Sequence, residues 1–180
     1  MREITNLKKL NIDKSWSLFL DRDGVINKRL MDDYVKSIDE FEFLNGVPEA
    51  FKKFSEVFGR IFVITNQRGI AREIMTEKDL EIVHNFMING IKNHGGRIDK
   101  IYFCPHDRDE NCGCRKPDIG SALKAKQDFP EVDFNKSIMV GDTSPDIKFG
   151  QNAGMYTIKI TDKDSEVFSV TSLAELAKML

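Results

Sequence analysis

Acidic residues follow two apolar runs of this 180-residue sequence and could share one site. Asp21 and Asp23 come directly after Ser17–Leu20, and Asp142 follows Ser137–Val140. Two carboxylates brought together repel each other unless a cation lies between them, and hard oxygen ligands favour Mg²⁺. One carboxylate could then attack phosphorus, and a second one two residues away could protonate the leaving oxygen. The spacing therefore predicts a magnesium-dependent phosphoryl-transfer site.

A hydroxyl and a lysine are expected at the same place. Thr65 follows the apolar run Arg60–Ile64, and Lys116 precedes the helix that leads to the fourth run. These groups would bind phosphoryl oxygens, where placement and charge supply most of the catalysis. Taken alone, Asp21 is better explained as a helix cap or turn residue, the other acids and Thr65 as turn or loop residues, and Lys116 as a solvated charge. Their joint appearance, in order, at successive strand ends favours a common site.

Three cysteines and one histidine cluster just before the lysine. In a reducing compartment such an odd-numbered cluster favours metal ligation over a disulfide, and four soft ligands can close a tetrahedral Zn²⁺ site without a position for water. The alternative is a set of unligated thiols beside a surface histidine. A zinc ion here would fix the segment that presents Arg115 and Lys116. The four candidate ligands are Cys104, His106, Cys112 and Cys114.

Short apolar runs and amphipathic segments alternate along the chain and would position these residues. Four of the runs are uniformly apolar at their centres, which predicts strands buried on both faces of a parallel sheet. The alternation predicts a doubly wound α/β fold, a three-layer sandwich whose active site lies beyond the carboxyl ends of the strands. The predicted strands are Ser17–Leu20, Arg60–Ile64, Lys100–Phe103, Ser137–Val140 and Tyr156–Ile160. The predicted helices are Val47–Phe58, Thr76–Asn93, Asp118–Asp128, Pro145–Ala153 and Ser172–Leu180.

Composition limits the classes of partner. The formal net charge is -2, from 27 Lys plus Arg against 29 Asp plus Glu, so no general attraction to nucleic acid or to a membrane surface is expected. No apolar stretch approaches the roughly 18 residues that span a bilayer. The start, Met1 to Lys14, has neither an apolar centre nor a small-residue cleavage site, so we expect no leader and a cytoplasmic protein.

Four ordered segments resemble the motifs of the haloacid dehalogenase superfamily. The resemblance implies that Asp21 is the nucleophile and that Asp23 is the general acid/base, whose backbone carbonyl also ligates Mg²⁺. It further implies that Asp142 is a Mg²⁺ carboxylate and that Thr65 and Lys116 bind the phosphate. An acid at the Asp23 position is typical of phosphatases and phosphotransferases. The segments are Leu20–Val25, Ile64–Gln67, Arg115–Pro117 and Val140–Asp146.

Within the superfamily, the sequence is most similar to a subgroup that holds the D-glycero-D-manno-heptose 1,7-bisphosphate 7-phosphatases and the histidinol-phosphate phosphatases. Gly69–Arg72 and Asp39–Val47 resemble the heptose enzymes. The short loop between His106 and Cys112 is more similar to histidinol-phosphate phosphatase. The resemblance thus implies one reaction with two candidate substrates, the heptose bisphosphate first.

The intervals between the motifs leave no room for a cap domain, so we expect one phosphatase domain, 1–180, with a zinc-binding loop at 104–114. The loop Asn27–Asp39 is the candidate lid over a small phosphorylated metabolite, with Lys28, Arg29 and Tyr34 as candidate contacts. A solvated loop explains each of these three residues at least as well. The predicted substrate-binding residues are Asn66, Gln67, Arg68, Arg115 and Lys116.

Two further hypotheses come from other functional classes. A phosphatase acting on nucleic-acid ends would need a basic groove, which the near-neutral charge does not favour. A zinc-stabilised binding module without catalysis would not need Asp21, Asp23, Lys116 and Asp142 together. We expect a monomer, because the predicted helices carry no apolar stripe beyond their core faces.

Overall fold

The computed structural model describes residues 4–180, and its six strands form one parallel sheet in the order β3-β2-β1-β4-β5-β6. Met1 to Glu3, the beginning of the segment predicted not to be a leader, lie outside the described residues. The strands are β1 (Ser17–Leu20), β2 (Arg60–Asn66), β3 (Lys100–Cys104), β4 (Ser137–Gly141), β5 (Tyr156–Ile160) and β6 (Ser169–Val170). The helices are α1 (Val47–Val57), α2 (Glu77–Asn93), α3 (Gly120–Asp128), α4 (Ser144–Asn152) and α5 (Leu173–Met179).

The sheet is covered on both faces, because successive strand residues point to opposite sides. Leu18 and Leu20 of β1 pack into a cluster with α1, α2 and α5. Phe19, between them, packs into a second cluster with α3 and α4. The three-layer doubly wound arrangement predicted from the alternating pattern is confirmed.

The predicted strands are all present, and the structure changes their details. Thr65 and Asn66 are the last residues of β2 rather than loop residues. The short strand β6 was not predicted, since two residues carry no periodic pattern. The prediction that the third run is buried on both faces is wrong: β3 is an edge strand, with Lys100 exposed and Phe103 half-buried. An apolar run does not reveal whether its strand lies at the centre or the edge of a sheet.

Helix boundaries follow their end signals. Thr76 caps α2: its side chain accepts from the Asp79 backbone N–H, and the Asp79 carboxylate accepts from the Thr76 backbone N–H. Pro48 lies in the first turn of α1, where the missing N–H costs nothing. No helix in the described part of the chain combines the length and the apolar content needed to cross a bilayer.

The strand order reverses at β1. β2 lies on one side of β1 and β4 on the other, both in parallel register. The loops that leave β1 and β4 therefore diverge, which opens a crevice beyond their carboxyl ends, the usual place for ligands in such sheets. Asp21 follows β1 and Asp142 follows β4 at this crevice.

Phe54→Ala tests the core beneath α1. The Phe54 ring is fully buried between Phe51 and Phe58, at centroid distances of 5.9 and 6.2 Å. Removing it should lower the free energy of unfolding by about 3–5 kcal/mol, measured by urea denaturation. Lys52→Ala, an exposed change on the same helix, should shift it by less than about 0.5 kcal/mol. Equal losses in the two variants would contradict this packing.

Candidate active site

The nucleophile candidate lies at the junction of the two central strands. The backbone N–H of Asp21 donates to Val140 O at 2.9 Å, which extends the pairing of β1 with β4 by one residue. The side chain of Asp21 is buried except for its tip, at 7% exposure. Gly24 turns the chain back with φ +91°, and a β-carbon there would collide with the Asp142 carboxylate. Glycine at position 24 is thus required for the Asp142 carboxylate to approach the turn that follows Asp21.

Lys116 connects two acids through one buried amine. Its Nζ lies 2.6 Å from Asp21 Oδ1 and 2.6 Å from Asp146 Oδ1, and it donates to Ile64 O at 2.7 Å. Although burial alone would lower it, the pKa of Lys116 is raised by Asp21 and Asp146. The amine is therefore held as a fixed positive charge beside the nucleophile.

The backbone around Lys116 is held by β2. The side chain of Asn66 accepts from the Lys116 N–H at 3.1 Å and donates to its carbonyl at 3.2 Å. These two hydrogen bonds fix the Lys116 peptide, so the lysine side chain can reach Asp21 at the carboxyl end of β1. Asn66 was predicted to bind substrate; the structure shows it positioning Lys116 at the pocket wall.

Asp146 is the site residue whose role the sequence did not predict. Its Oδ1 binds Lys116, and its Oδ2 accepts from the backbone N–H of Thr143 at 2.9 Å and from the Thr143 hydroxyl. Although burial opposes it, Lys116 keeps the pKa of Asp146 below its usual value. The Thr-x-x-Asp spacing signals a helix N-terminus, and it could have indicated a capping role for this acid.

Asp23 is oriented by a guanidinium and two amides. Arg22, itself fully buried, donates from Nη2 to both carboxylate oxygens at 2.8 and 3.0 Å. Asn27 and Gln67 each donate one further bond to the carboxylate, at 3.0 and 2.9 Å. Burial opposes ionisation, but Arg22 and the two amides hold the pKa of Asp23 below its usual value. The candidate acid/base is thus rigidly aimed.

Arg22 is held from behind by α2. Its Nη1 lies 3.2 Å from His84 Nε2. Burial and the Arg22 charge lower the pKa of His84 to about 3, so the ring is neutral and can accept this bond. His84 is a buried packing residue of α2 with this additional polar role.

The acidic cluster has the chemistry of a divalent-cation site. One oxygen from each of Asp21, Asp142 and Asp146 lies within 4.8 Å of the others. Burial raises the pKa of Asp21 to about 7 and that of Asp142 to about 6. Neighbouring acids that are hard to ionise together are stabilised by a cation. An all-oxygen donor set of this kind fits Mg²⁺.

Arg29 supplies a positive charge at this cluster. Its Nη2 donates to the Asp23 carbonyl at 2.6 Å and to Asp142 Oδ1 at 3.0 Å, and it lies 3.7 Å from Asp21 Oδ2. These three groups are the ones predicted to ligate Mg²⁺. A cationic nitrogen therefore lies among the predicted metal ligands.

A pocket of about 320 Å³ opens above these groups. Among the predicted substrate contacts, Asn66, Arg115 and Lys116 line it, and so do Thr65 and Tyr34. Arg108, which the sequence did not single out, lines it as well. The walls thus carry several cations beside the acids of the site.

Two predicted substrate contacts lie beside the pocket rather than in its lining. Gln67 is fully buried, and its amide donates to Asp23 and to Thr65 Oγ1 at 2.8 Å. Arg68 donates to the Tyr34 hydroxyl at 2.9 Å and pairs with Asp107. Lys28, a candidate in the lid loop, pairs with Glu42 at the surface.

The predicted zinc ligands converge at the end of β3. Cys114 Sγ lies 3.0 Å from Cys104 Sγ and 3.3 Å from Cys112 Sγ, and His106 Nδ1 lies 3.3 Å from Cys114 Sγ. All four ligand atoms lie within 4.8 Å of one another. Arg115 follows at once and donates to His106 O at 3.3 Å. The cluster can hold a metal ion next to the active-site cations.

Comparisons with known proteins agree on one superfamily. A family model described as HAD-hydrolase-like matches residues 113–174. A D-glycero-alpha-D-manno-heptose-1,7-bisphosphate 7-phosphatase from Campylobacter jejuni is 40% identical over 153 residues, which cover 85% of this chain and 86% of the relative. A D-glycero-beta-D-manno-heptose-1,7-bisphosphate 7-phosphatase from Helicobacter pylori is 38% identical over 145 residues, which cover 80% of this chain and 81% of that one.

A solved structure is similar over almost the whole chain. The D,D-heptose 1,7-bisphosphate phosphatase from B. bronchiseptica, complexed with magnesium and phosphate, superposes with a TM-score of 0.82 at 28% identity. The match covers 91% of this chain and 96% of that one. The fold and the sequence similarity thus lead to the same group of proteins.

Asp146→Asn tests the lysine bridge. The variant removes one charged partner of a buried amine and weakens the cap of α4, so the free energy of unfolding should fall by about 3 kcal/mol in urea denaturation. Asp79→Asn changes the equivalent capping acid of α2, which has no buried lysine partner, and should cost only about 1 kcal/mol. Equal losses would show that Asp146 acts as a cap alone.

Proposed function

This chain belongs to the haloacid dehalogenase superfamily and is a phosphatase, and we propose that it removes the 7-phosphate from D-glycero-D-manno-heptose 1,7-bisphosphate. The observation that carries the proposal is the contact of Lys116 with Asp21 in the lining of one pocket, with an Asp142 oxygen within 4.8 Å of an Asp21 oxygen. The relatives that cover most of the chain are named for this reaction, in both anomeric forms.

The reaction proceeds in two displacements. An Asp21 oxygen forms a bond to phosphorus as the bond from phosphorus to the sugar oxygen breaks. Asp23 gives its proton to that leaving oxygen, and it must therefore be protonated for this step although Arg22 favours its ionised form. Asp23 then takes a proton from water, whose oxygen attacks phosphorus and releases phosphate from Asp21. Lys116 and Thr65 bind the phosphoryl oxygens throughout.

A divalent cation completes the site. Asp21, the Asp23 carbonyl and Asp142 would hold it, and Mg²⁺ would supply positive charge against the phosphoryl group. The magnesium-bound relative from B. bronchiseptica supports this choice of metal.

Arg108 and Arg115 suit a substrate with a second phosphate. Both line the pocket that contains Asp21, and both also line the adjoining pocket of about 330 Å³. A guanidinium can bind a phosphate through two parallel hydrogen bonds. A bisphosphate would offer these two guanidiniums a second phosphate, which a monophosphate such as histidinol phosphate lacks. The two arginines therefore favour the bisphosphate.

A structural Zn²⁺ ion at Cys104, His106, Cys112 and Cys114 belongs to the same proposal. Four ligands leave no open position, so the ion would support the fold rather than react. The proposal also includes a single domain over 1–180 with the zinc loop at 104–114, a monomeric state and a cytoplasmic location. Light scattering after gel filtration measures the molar mass in solution and so tests the monomeric state.

Asp21→Asn should abolish turnover while the protein remains folded. Without the carboxylate nucleophile, phosphate release from the heptose bisphosphate with Mg²⁺ should fall by at least about 10⁴-fold. Asp13→Asn, an exposed change before β1, should leave the rate unaltered. Substantial turnover by Asp21→Asn would overturn the assignment of the nucleophile. Faster turnover of histidinol phosphate by the unaltered protein would overturn the assignment of the substrate.

Removing zinc should lower both stability and activity. Treatment with a zinc-selective chelator, followed by saturating Mg²⁺, should reduce the melting temperature and should lower kcat/KM by about 10-fold or more, since the loop presents Arg115 and Lys116. Cys112→Ser should reproduce both effects and lose bound zinc by elemental analysis. Asp109→Ser, an exposed change in the same loop, should do neither. Unchanged activity and stability after zinc loss would remove the proposal.

A further inference from the structure

Arg29 places one nitrogen where the oxygens of the proposed magnesium site converge. Nη2 is 2.6 Å from the Asp23 carbonyl, 3.0 Å from Asp142 Oδ1 and 3.7 Å from Asp21 Oδ2. Mg²⁺ binds oxygen at about 2.0–2.1 Å and demands a near-octahedral shell. A guanidinium nitrogen and the ion cannot occupy this space together.

We propose that Arg29 is a displaceable counter-ion that occupies the metal position in the metal-free protein and leaves when Mg²⁺ binds. The inference rests on the proposed function in one respect, that these three oxygens are the magnesium ligands. It adds a role for a residue that is neither a metal ligand nor a phosphate ligand in the reaction described above.

Burial separates the two cations of the site into a fixed one and a mobile one. The Lys116 side chain is 2% exposed and is held by Asp21, Asp146 and a backbone carbonyl. The Arg29 side chain is 37% exposed and comes from the loop after β1, outside any helix or strand. Arg29 can therefore swing toward solvent without opening the core, whereas Lys116 cannot.

The two cations also use different oxygens. Lys116 binds Oδ1 of Asp21, while Arg29 lies nearest Oδ2 of the same carboxylate. Loss of Arg29 from the site thus leaves the lysine bridge intact. The oxygens that Arg29 releases are the ones that a metal ion needs.

Displacement has a thermodynamic consequence. A site that is occupied by its own arginine for most of the time binds metal with an apparent affinity reduced by the fraction that is open. At the same time, the arginine offsets the repulsion between the acids when metal is absent. Arg29 should therefore weaken magnesium binding and stabilise the metal-free protein.

Magnesium titration by isothermal calorimetry on the full chain, stripped of divalent cations at the catalytic site, tests this role. Arg29→Gln should lower the dissociation constant for Mg²⁺ by about 10-fold relative to the unaltered protein. Arg29→Met carries the same expectation, so the test does not depend on one folded variant. Lys28→Gln removes an equal charge from the adjacent residue, which is exposed and paired with Glu42, and should change the constant by less than about twofold.

A second measurement reports on the metal-free state. In the absence of Mg²⁺ the melting temperature of Arg29→Gln should lie below that of the unaltered protein, and saturating Mg²⁺ should remove the difference. Equal or weaker magnesium binding by both Arg29 variants would overturn the counter-ion role while leaving the phosphatase proposal standing. Absence of magnesium binding in the unaltered protein would overturn the metal site and this inference together.

Discussion

The buried amine of Lys116 is the interaction on which the rest of the site depends. A buried charge is costly unless it is paired and hydrogen-bonded, and here Asp21, Asp146 and the Ile64 carbonyl satisfy all three donors. These partners come from the end of β1, the start of α4 and the centre of β2. The amine can be satisfied only when these segments are correctly placed together. Correct folding and assembly of the catalytic groups are therefore the same event.

Much of this site followed from the sequence, because a parallel sheet brings the carboxyl ends of its strands to one edge. Asp21, Thr65 and Asp142 could be placed at that edge from the apolar runs alone. Contacts between side chains that lie far apart in the sequence could not be predicted in this way. The contact of Arg29 with Asp142 spans 113 residues, and no periodic pattern encodes which acid a flexible arginine will meet. The partner of Asp146 was unpredictable for the same reason, since Lys116 arrives from a loop without periodicity.

The charges of the site balance only with a dication. Three carboxylates, Asp21, Asp142 and Asp146, surround the position, and Lys116 compensates one of them. Arg29 compensates a second carboxylate, so one negative charge remains uncompensated. Burial and Asp146 raise the pKa of Asp21 to about 7, which is consistent with incomplete compensation. A divalent ion in place of the arginine would offset this excess and favour the ionised form of the Asp21 carboxylate.

Asp23 stands apart from this balance because Arg22 neutralises it separately. The Gln67 amide nitrogen, which donates to both Asp23 and Thr65, then connects the proposed acid/base to the proposed phosphate ligand on the neighbouring strand. Neither side chain can reorient without breaking a hydrogen bond to Gln67, and leaving a buried polar group unpaired costs about 1–3 kcal/mol. The Asp23 and Thr65 side chains are consequently held in one fixed relation. This rigidity explains why Gln67 is buried behind the pocket: its contacts serve to position two reacting groups.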